Sequence, residues 1–192
     1  MAQDQGYPFG LRDLKIFQIT DEATPTYANG VDVNAAQELT FDITVTEAIL
    51  RGDDVRKCHH AVKDGADWSL THGGVDLAAA EAIMGATASD SDASPNELTY
   101  LDVKVSTEIP YFGMIGQILD GEDAGDTHVQ LFKCKTNAPG PGGFSGGNFH
   151  TPTIAGVALP APVDDDTIVR TLVHQTSCDI PSAWPADPYT SS

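Results

Sequence analysis

The chain has 192 residues, a length that suits one domain with a sizeable core, and its hydrophobic content of 41% and charged content of 20% are ordinary. Its formal net charge of −18 is not ordinary, since 21 Asp and 7 Glu stand against 6 Lys and 4 Arg. So acidic a surface repels phosphates, which argues against tight binding to nucleic acid or to an anionic membrane. The scarcity of Lys and the excess of Asp over Glu favour a halophilic source, because molar salt screens the self-repulsion.

Two strand signals occupy the first fifty residues. The segment from Leu11 to Thr20 predicts a strand, and Asn29-Gly30 is a strong signal for a tight turn. From Leu39 to Thr46, within a strand predicted to run to Leu50, apolar and polar residues alternate strictly, which predicts one buried face and one wet face. The apolar face would carry Leu39, Phe41, Ile43 and Val45, and the polar face Thr40, Asp42, Thr44 and Thr46. Because neither proline nor lysine blunts this strand, we expect it to pair with a strand of a neighbouring copy.

Basic residues are concentrated directly after this strand. The segment from Arg51 to Gly65 is polar and predicts a loop, and it holds four of the ten basic residues. These four are Arg51, Arg56, Lys57 and Lys63, and Asp53, Asp54 and Asp64 lie among them. Such a cluster in an acidic chain predicts a docking loop that meets the acidic surface of an identical neighbour. The alternative is a mixed-charge loop exposed to water.

The rest of the chain alternates short strands and turns around a single helix. Asp76 suits the N-cap of that helix, and Gly85 suits the left-handed residue beyond its end. Trp68 and Leu70 indicate a strand before the helix, and Ser89 to Asn96 predicts a polar loop after it. A Pro/Gly-rich loop is predicted over residues 136–147, and further strands over 98–106, 111–119, 127–135, 148–159 and 166–176.

These elements predict a mainly β fold, a β-sandwich or barrel with one flanking α-helix. We expect an N-terminal arm over residues 1–10, a single β domain over 11–176 and a Pro-rich C-terminal tail over 177–192. Neither a signal segment nor a membrane span is indicated, so we expect Cys58, Cys134 and Cys178 to be reduced thiols.

Two short motifs suggest a chemical function, but neither has the context that its chemistry needs. Gly143-Phe-Ser-Gly-Gly147 matches the Gly-x-Ser-x-Gly pattern of serine hydrolases, yet neither a strand before it nor a helix after it is indicated. Cys58-His59-His60 has no second ligand cluster at a useful spacing, so a solvated loop is the better interpretation. We therefore predict no catalytic residue, no metal site and no cofactor, and expect the chain not to be an enzyme.

Seven segments are informative through their order, although each is weak by itself. They are Ala28-Asn-Gly-Val-Asp32, Leu39-Thr-Phe-Asp-Ile-Thr44, Leu50-Arg-Gly-Asp-Asp54, Gly73-Gly-Val-Asp-Leu-Ala-Ala79, Tyr111-Phe-Gly-Met-Ile-Gly-Gln-Ile118, Asp126-Thr-His-Val-Gln-Leu-Phe-Lys133 and Gly147-Asn-Phe-His-Thr-Pro-Thr-Ile-Ala-Gly156. In this order the chain resembles the major tail protein of long, non-contractile tailed viruses, which is the subunit of the tail tube.

The resemblance implies a structural virion protein. Six subunits would form a ring, rings would stack into a tube, and strands of all subunits would join into one inner barrel. Viral DNA would pass through that lumen without specific binding. The other partners would be further copies of the chain and the tail proteins at the tube ends, with no membrane involved. The protein would assemble in the host cytoplasm and reside in the tail of the virion.

Within such a tube, two sets of residues have expected positions. We expect Asp42, Thr44, Thr46, Asp102 and Lys104 to face the lumen, with an outer solvent face as the alternative. We expect contacts between rings from Arg51, Asp53, Asp54, Arg56, Lys57 and Lys63. Two other functions remain open. One is a carbohydrate- or receptor-binding β-module, such as a decoration or adhesin domain of a virion, and the other is a hydrolase built on residues 143–147.

Overall fold

The computed structural model describes residues 8–22, 26–52, 55–91, 98–120, 125–138, 145–161, 166–174 and 176–185. The strands are β1 (Pro8–Asp21), β2 (Thr26–Tyr27), β3 (Val31–Asp32), β4 (Ala36–Gly52), β5 (Val55–His72), β6 (Thr87–Ser91), β7 (Leu98–Asp102), β8 (Phe112–Asp120), β9 (Asp126–Ala138), β10 (Thr153–Leu159) and β11 (Val169–His174). A helix, α1 (Leu77–Met84), follows β5. The predicted mainly β fold with one helix is confirmed for the described residues.

Most strands belong to one antiparallel sheet. Its nine strands include the path β2-β1-β8-β9-β10-β5-β4, with β11 paired to β9 and β3 paired to β1. Strand β9 is the centre of this sheet, because β8 pairs along one of its sides while β11 and β10 share the other. Strands β6 and β7 form a separate two-stranded sheet. Strand β4 ends the path, and its described pairing partner is β5 alone.

The core forms where the large sheet curves back on itself. Strand β4 approaches β1, and Leu39 of β4 packs so closely over Gly116 of β8 that a Cβ there would lie 3.1 Å from its Cδ2 atom. The rings of Trp68 and Phe112 meet edge to face at 5.7 Å. Other fully or nearly buried members of this core are Leu14, Ile16, Leu70, Met114, Val129, Leu131 and Ile154. Alternation of apolar residues along the central strands supplies this face.

The helix begins and ends as its sequence predicts. The Asp76 side chain accepts a hydrogen bond from the Ala79 amide at 3.0 Å, which satisfies one of the free donors of the first turn. Gly85 ends the helix with φ of 66°, and its amide donates to the Glu81 carbonyl. Ala79 and Ile83 face the core, so the helix closes one flank of the sheet. No helix in the described ranges is long and apolar enough to cross a membrane.

The opposite face of the large sheet is covered by residues 176–185. Trp184 stacks on Tyr27 at 4.2 Å and meets Phe17 and Phe132 edge to face. Ile180 is buried beside Phe17 in the same cluster. The first part of the predicted C-terminal tail is therefore packed on the sheet, and residues 8–10 of the predicted arm belong to β1.

The loop predicted from Arg51 to Gly65 is wrong. Strands β4 and β5 form one long hairpin, paired from Ala36 and His72 to Gly52 and Val55 at its tip. A bulge leaves Asp64 without a paired residue, and its carboxylate accepts a hydrogen bond from the Thr46 hydroxyl. The polar composition was misleading because both faces of this part of the hairpin are exposed, so strand pairing does not require alternating apolar residues there.

Smaller differences from the predicted elements concern boundaries. The strand predicted over 98–106 ends at residue 102, and the one predicted over 148–159 starts at 153, directly after Pro152. Strand β9 continues to residue 138, into the predicted Pro/Gly-rich loop. The predicted loop after the helix begins with strand β6, and its residues 92–96 lie outside the described chain.

Candidate functional site

The outer half of the β4/β5 hairpin, residues 45–52 and 55–63, has no third strand beside it in the described chain. Strand β5 pairs with β10 only over residues 66–71. Every described side chain from Val45 to Arg51 and from Lys57 to Lys63 is exposed. We call this part the hairpin extension, and eight residues of strand give it a reach of roughly 25 Å. A two-stranded hairpin with both faces in water is marginally stable at best by itself.

Both faces of the hairpin extension carry large hydrophobic side chains. Val45 and Ile49 share one face and are 47% and 40% exposed. Leu50 and Val62 share the other and are 64% and 49% exposed. Val45 and Ile49 lie on the same face of β4 as Leu39, which packs against the core. At Val45 and Ile49, however, this face is not covered by core residues of the described chain. Clustered exposed apolar residues of this kind mark interaction surfaces rather than ordinary solvent-facing strands.

Strand β4 also offers a free edge. It has 17 residues and terminates the path of the large sheet. Natural edge strands are usually short, bulged, or carry proline or lysine, because unpaired backbone groups otherwise recruit another strand. The sequence of β4 contains neither proline nor lysine, and among the described residues no strand pairs with its outer side. The edge and the two apolar faces together form the candidate assembly surface.

Charged groups of the predicted inter-ring set lie on the hairpin extension, but not in a loop. Arg51 is exposed on β4, and Lys57 and Lys63 are exposed on β5. Arg56 is on β5 next to the tip, and Asp53 and Asp54 lie outside the described residues. Close to these residues, the His59 Nε2 atom of β5 lies 3.3 Å from the Glu47 Oε2 atom of β4. At the bulge, the hydrogen bond from Thr46 lowers the pKa of the Asp64 carboxyl.

The five predicted lumen residues do not share one sheet. Asp42, Thr44 and Thr46 share one face of β4, as expected. Asp102 is the last residue of β7, in the two-stranded sheet, and Lys104 lies two residues beyond that strand, outside either sheet. A finding that the sequence did not suggest is that Asp42 lies directly opposite Asp67 of β5, and both are exposed. This pair makes one face of the hairpin strongly anionic just before the hairpin extension begins, and we call this part, around Asp42 and Asp67, the root of the hairpin.

A hollow of about 350 Å³ lies between α1, β7 and β10. Its lining includes Leu77, Ile83, Leu101 and Ile154. The hollow separates part of the two-stranded sheet from the large sheet. Strand β7, which carries Asp102, therefore borders this hollow and is separate from the hairpin extension.

A buried polar cluster lies on the face of the large sheet that residues 176–185 cover. Asp126 and His128 point to the same side of β9, and β11 brings His174 beside Asp126. One ligand atom from each of the three lies within 4.8 Å of the others. Burial by itself would raise the pKa of Asp126, but hydrogen bonds from the Cys178 amide and Gln117 outweigh it and lower that pKa. Burial lowers the pKa of His128, against the opposing charge of Asp126.

This cluster has only a weak signal in the amino-acid sequence. Its local signal was Asp126-Thr-His128, in which two polar residues share one face of a predicted strand. His174 joins them only through the pairing of β9 with β11, which sequence spacing does not show. The motifs that were considered are placed differently. His59 lies on the opposite face of β5 from Cys58 and His60, and Ser145 is exposed while Gly143 lies outside the described residues.

Comparison with protein-family models and with curated proteins gives no match to this chain.

Proposed function

We propose that this chain is a structural virion protein that polymerises, as stacked six-membered rings, into the tail tube of a long, non-contractile tailed virus. The observation that carries the proposal is the hairpin extension, a long two-stranded projection with hydrophobic residues exposed on both faces. An isolated hairpin of this kind is only marginally stable in water. Neighbouring subunits would cover its apolar side chains on both faces and add a third strand at its edge. The segment order described for the sequence supports the tail-tube class.

Assembly through β4 would extend each large sheet into that of the next subunit. The backbone groups on the free edge of β4 would then find partners, and Val45, Ile49, Leu50 and Val62 would leave water. Repetition of this contact around a closed ring leaves no free edge, which is the condition that keeps a sheet protein from open-ended aggregation.

The anionic root of the hairpin supports a role as a conduit. Asp42 and Asp67 face each other across β4 and β5, an arrangement that is unfavourable for a pair by itself. A wall of such pairs would repel DNA phosphates and let the genome slide without binding. Together with Thr44, these residues form our proposed lumen face, whereas Thr46 lies directly opposite Val62 and would belong to the covered part of the hairpin extension. Arg51 and Lys57, near the hairpin tip, would contact carboxylates of the adjacent ring.

Negative-stain microscopy and analytical ultracentrifugation of the purified chain in molar salt test this proposal. We expect rings or tubes and a sedimentation profile that shifts with protein concentration in the micromolar range. A monodisperse monomer at every concentration would contradict the assembly proposal and favour a carbohydrate- or receptor-binding module. Labelling of Ser145 by a serine-directed probe would instead indicate a hydrolase.

Salt should control the stability of the assembly. The net charge of −18 per subunit makes each ring self-repelling, and the Debye length grows from about 3 Å at 1 M salt to about 10 Å at 0.1 M. We therefore expect tubes to dissociate, or to melt at lower temperature, when salt is diluted over this range. Light scattering and thermal melting measure the effect, with sucrose of equal osmolality as the control. Equal stability at both salt concentrations would contradict the halophilic origin but not the tube.

A further inference from the structure

We propose that Asp126, His128 and His174 bind one zinc ion beneath the C-terminal segment. The three residues lie on adjacent strands, β9 and β11, and their ligand atoms lie within 4.8 Å of one another. Two imidazoles and one carboxylate are a common donor set for zinc, with a water molecule completing a tetrahedron. This inference is independent of the proposed function, because the cluster lies away from the hairpin extension.

The spacing of the cluster fits one small ion. In a tetrahedral zinc site with bonds of about 2.0–2.1 Å, ligand atoms are about 3.4 Å apart. The Nε2 atom of His128 lies 3.5 Å from the Asp126 carboxylate, measured to its hydrogen-bonded Oδ2 atom, while the oxygen without a partner among the described residues is Oδ1. The rings of His128 and His174 are 4.6 Å apart between centroids. The ligand atoms lie up to 4.8 Å apart, so side-chain rotations that shorten these distances by up to about 1.4 Å would bring the three donors around one ion.

The carboxylate of Asp126 supplies a second, independent observation. Its residue is 1% exposed, and its Oδ1 atom is buried with no hydrogen-bond partner among the described residues. Its Oδ2 atom accepts hydrogen bonds from Gln117 at 2.6 Å, the Cys178 amide at 2.9 Å and Ser177 at 3.2 Å. A buried carboxylate oxygen without a partner is costly, and a cation bound to Oδ1 would remove that cost. The three bonds to Oδ2 are the outer partners that orient a metal-ligating carboxylate.

The position of the site assigns it a structural role. His128 is completely buried, and Asp126 also holds Ser177 and Cys178, which begin the covering segment. An ion at this point would join β9 to β11 and fix the start of residues 176–185 on the sheet. Loss of the ion should therefore loosen that segment and lower the stability of the whole subunit.

The test uses the full chain after removal of metal with a chelator. After zinc is added back and the excess is removed by dialysis, elemental mass spectrometry should find one equivalent of zinc bound to the chain. Cobalt added in place of zinc should give the intense visible absorption of a tetrahedral site. When free zinc exceeds its dissociation constant a hundredfold, the melting temperature should rise by about 5–10 °C. A wild-type chain that retains no zinc and shows no thermal shift would overturn the proposal without any variant.

Two histidine variants locate the ion. His174 is half-buried, so His174→Ala should remain folded by circular dichroism and lose both the bound zinc and the thermal shift. His60→Ala is the matched control, because His60 is exposed on the same face as Cys58, where adventitious zinc would bind. That variant should bind zinc as the wild type does. Zinc retained by His174→Ala, or lost from His60→Ala alone, would overturn the assignment to the buried cluster.

Discussion

Replacing Val45 with aspartate should abolish rings and tubes while the subunit stays folded. Val45 is 47% exposed in the isolated chain, so the change removes little from the core of the subunit. In the proposed assembly the same side chain is covered by a neighbour, and an unpaired carboxylate there costs several kcal/mol at each interface. Since every interface of a ring carries the substitution, assembly in the micromolar range should be lost. Sedimentation velocity and negative-stain microscopy in molar salt measure the loss.

The matched control for this variant is Val173→Asp. Val173 is also a strand valine, 45% exposed on β11, and the substitution adds the same charge outside the hairpin extension. The control should assemble as the wild type does, and circular dichroism should show both variants folded. Normal tubes from Val45→Asp would exclude the hairpin extension as the assembly surface. Failure of both variants would point to the added charge and not to the surface.

Replacing Gly156 with alanine should destabilise the subunit by about 3 kcal/mol, the upper part of the range for overpacked interiors. Gly156 lies in β10, which pairs with β9 on one side and with β5 on the other. Atoms of both neighbouring strands lie close to the Gly156 Cα. A Cβ at this position would collide with the carbonyl oxygen of Lys135, and it would lie 2.7 Å from the Trp68 ring and 2.8 Å from the Thr136 Cα. Two of these neighbours, the Lys135 carbonyl oxygen and the Thr136 Cα, are backbone atoms in the middle of a sheet. Moving them would strain the hydrogen bonds between β9 and β10.

Gly146→Ala is the control for this prediction. A Cβ at Gly146 would meet no atom within 4 Å, so its free energy of unfolding should stay close to that of the wild type. Urea unfolding followed by tryptophan fluorescence reports both variants, since Trp68 lies beside Gly156. A change of less than about 1 kcal/mol for Gly156→Ala would mean that β9 and β10 can separate enough to accept a methyl group.

Local patterns were sufficient for much of this fold. The helix was predictable from Asp76 and Gly85, because capping depends on residues three or four positions apart. The alternation of residues 39–46 correctly predicted a strand and its two faces, since side-chain direction in a strand has a period of two. The mainly β class followed from the number of such segments and from the turns between them.

The same alternation did not show how far burial extends. Leu39 and Phe41 pack against the core, whereas Ile43 and Val45, on the same face, are each 47% exposed. Whether a residue of a strand is covered depends on which other strands lie beside it, and this pairing is non-local. For the same reason the polar segment after β4 was predicted as a loop, although β4 serves as its pairing partner.

The candidate sites also combine features that are local in the sequence with features that depend on which strands pair. The amino-acid sequence by itself determined the acidic charge, the two-faced strand and the concentration of basic residues near the hairpin tip. Only the tertiary structure decided that this strand ends the sheet formed by the described residues, that Asp42 faces Asp67, and that His174 joins Asp126 and His128. Residues 128 and 174 are brought together by the register of β9 and β11, which is set by the packing of the whole sheet rather than by either segment.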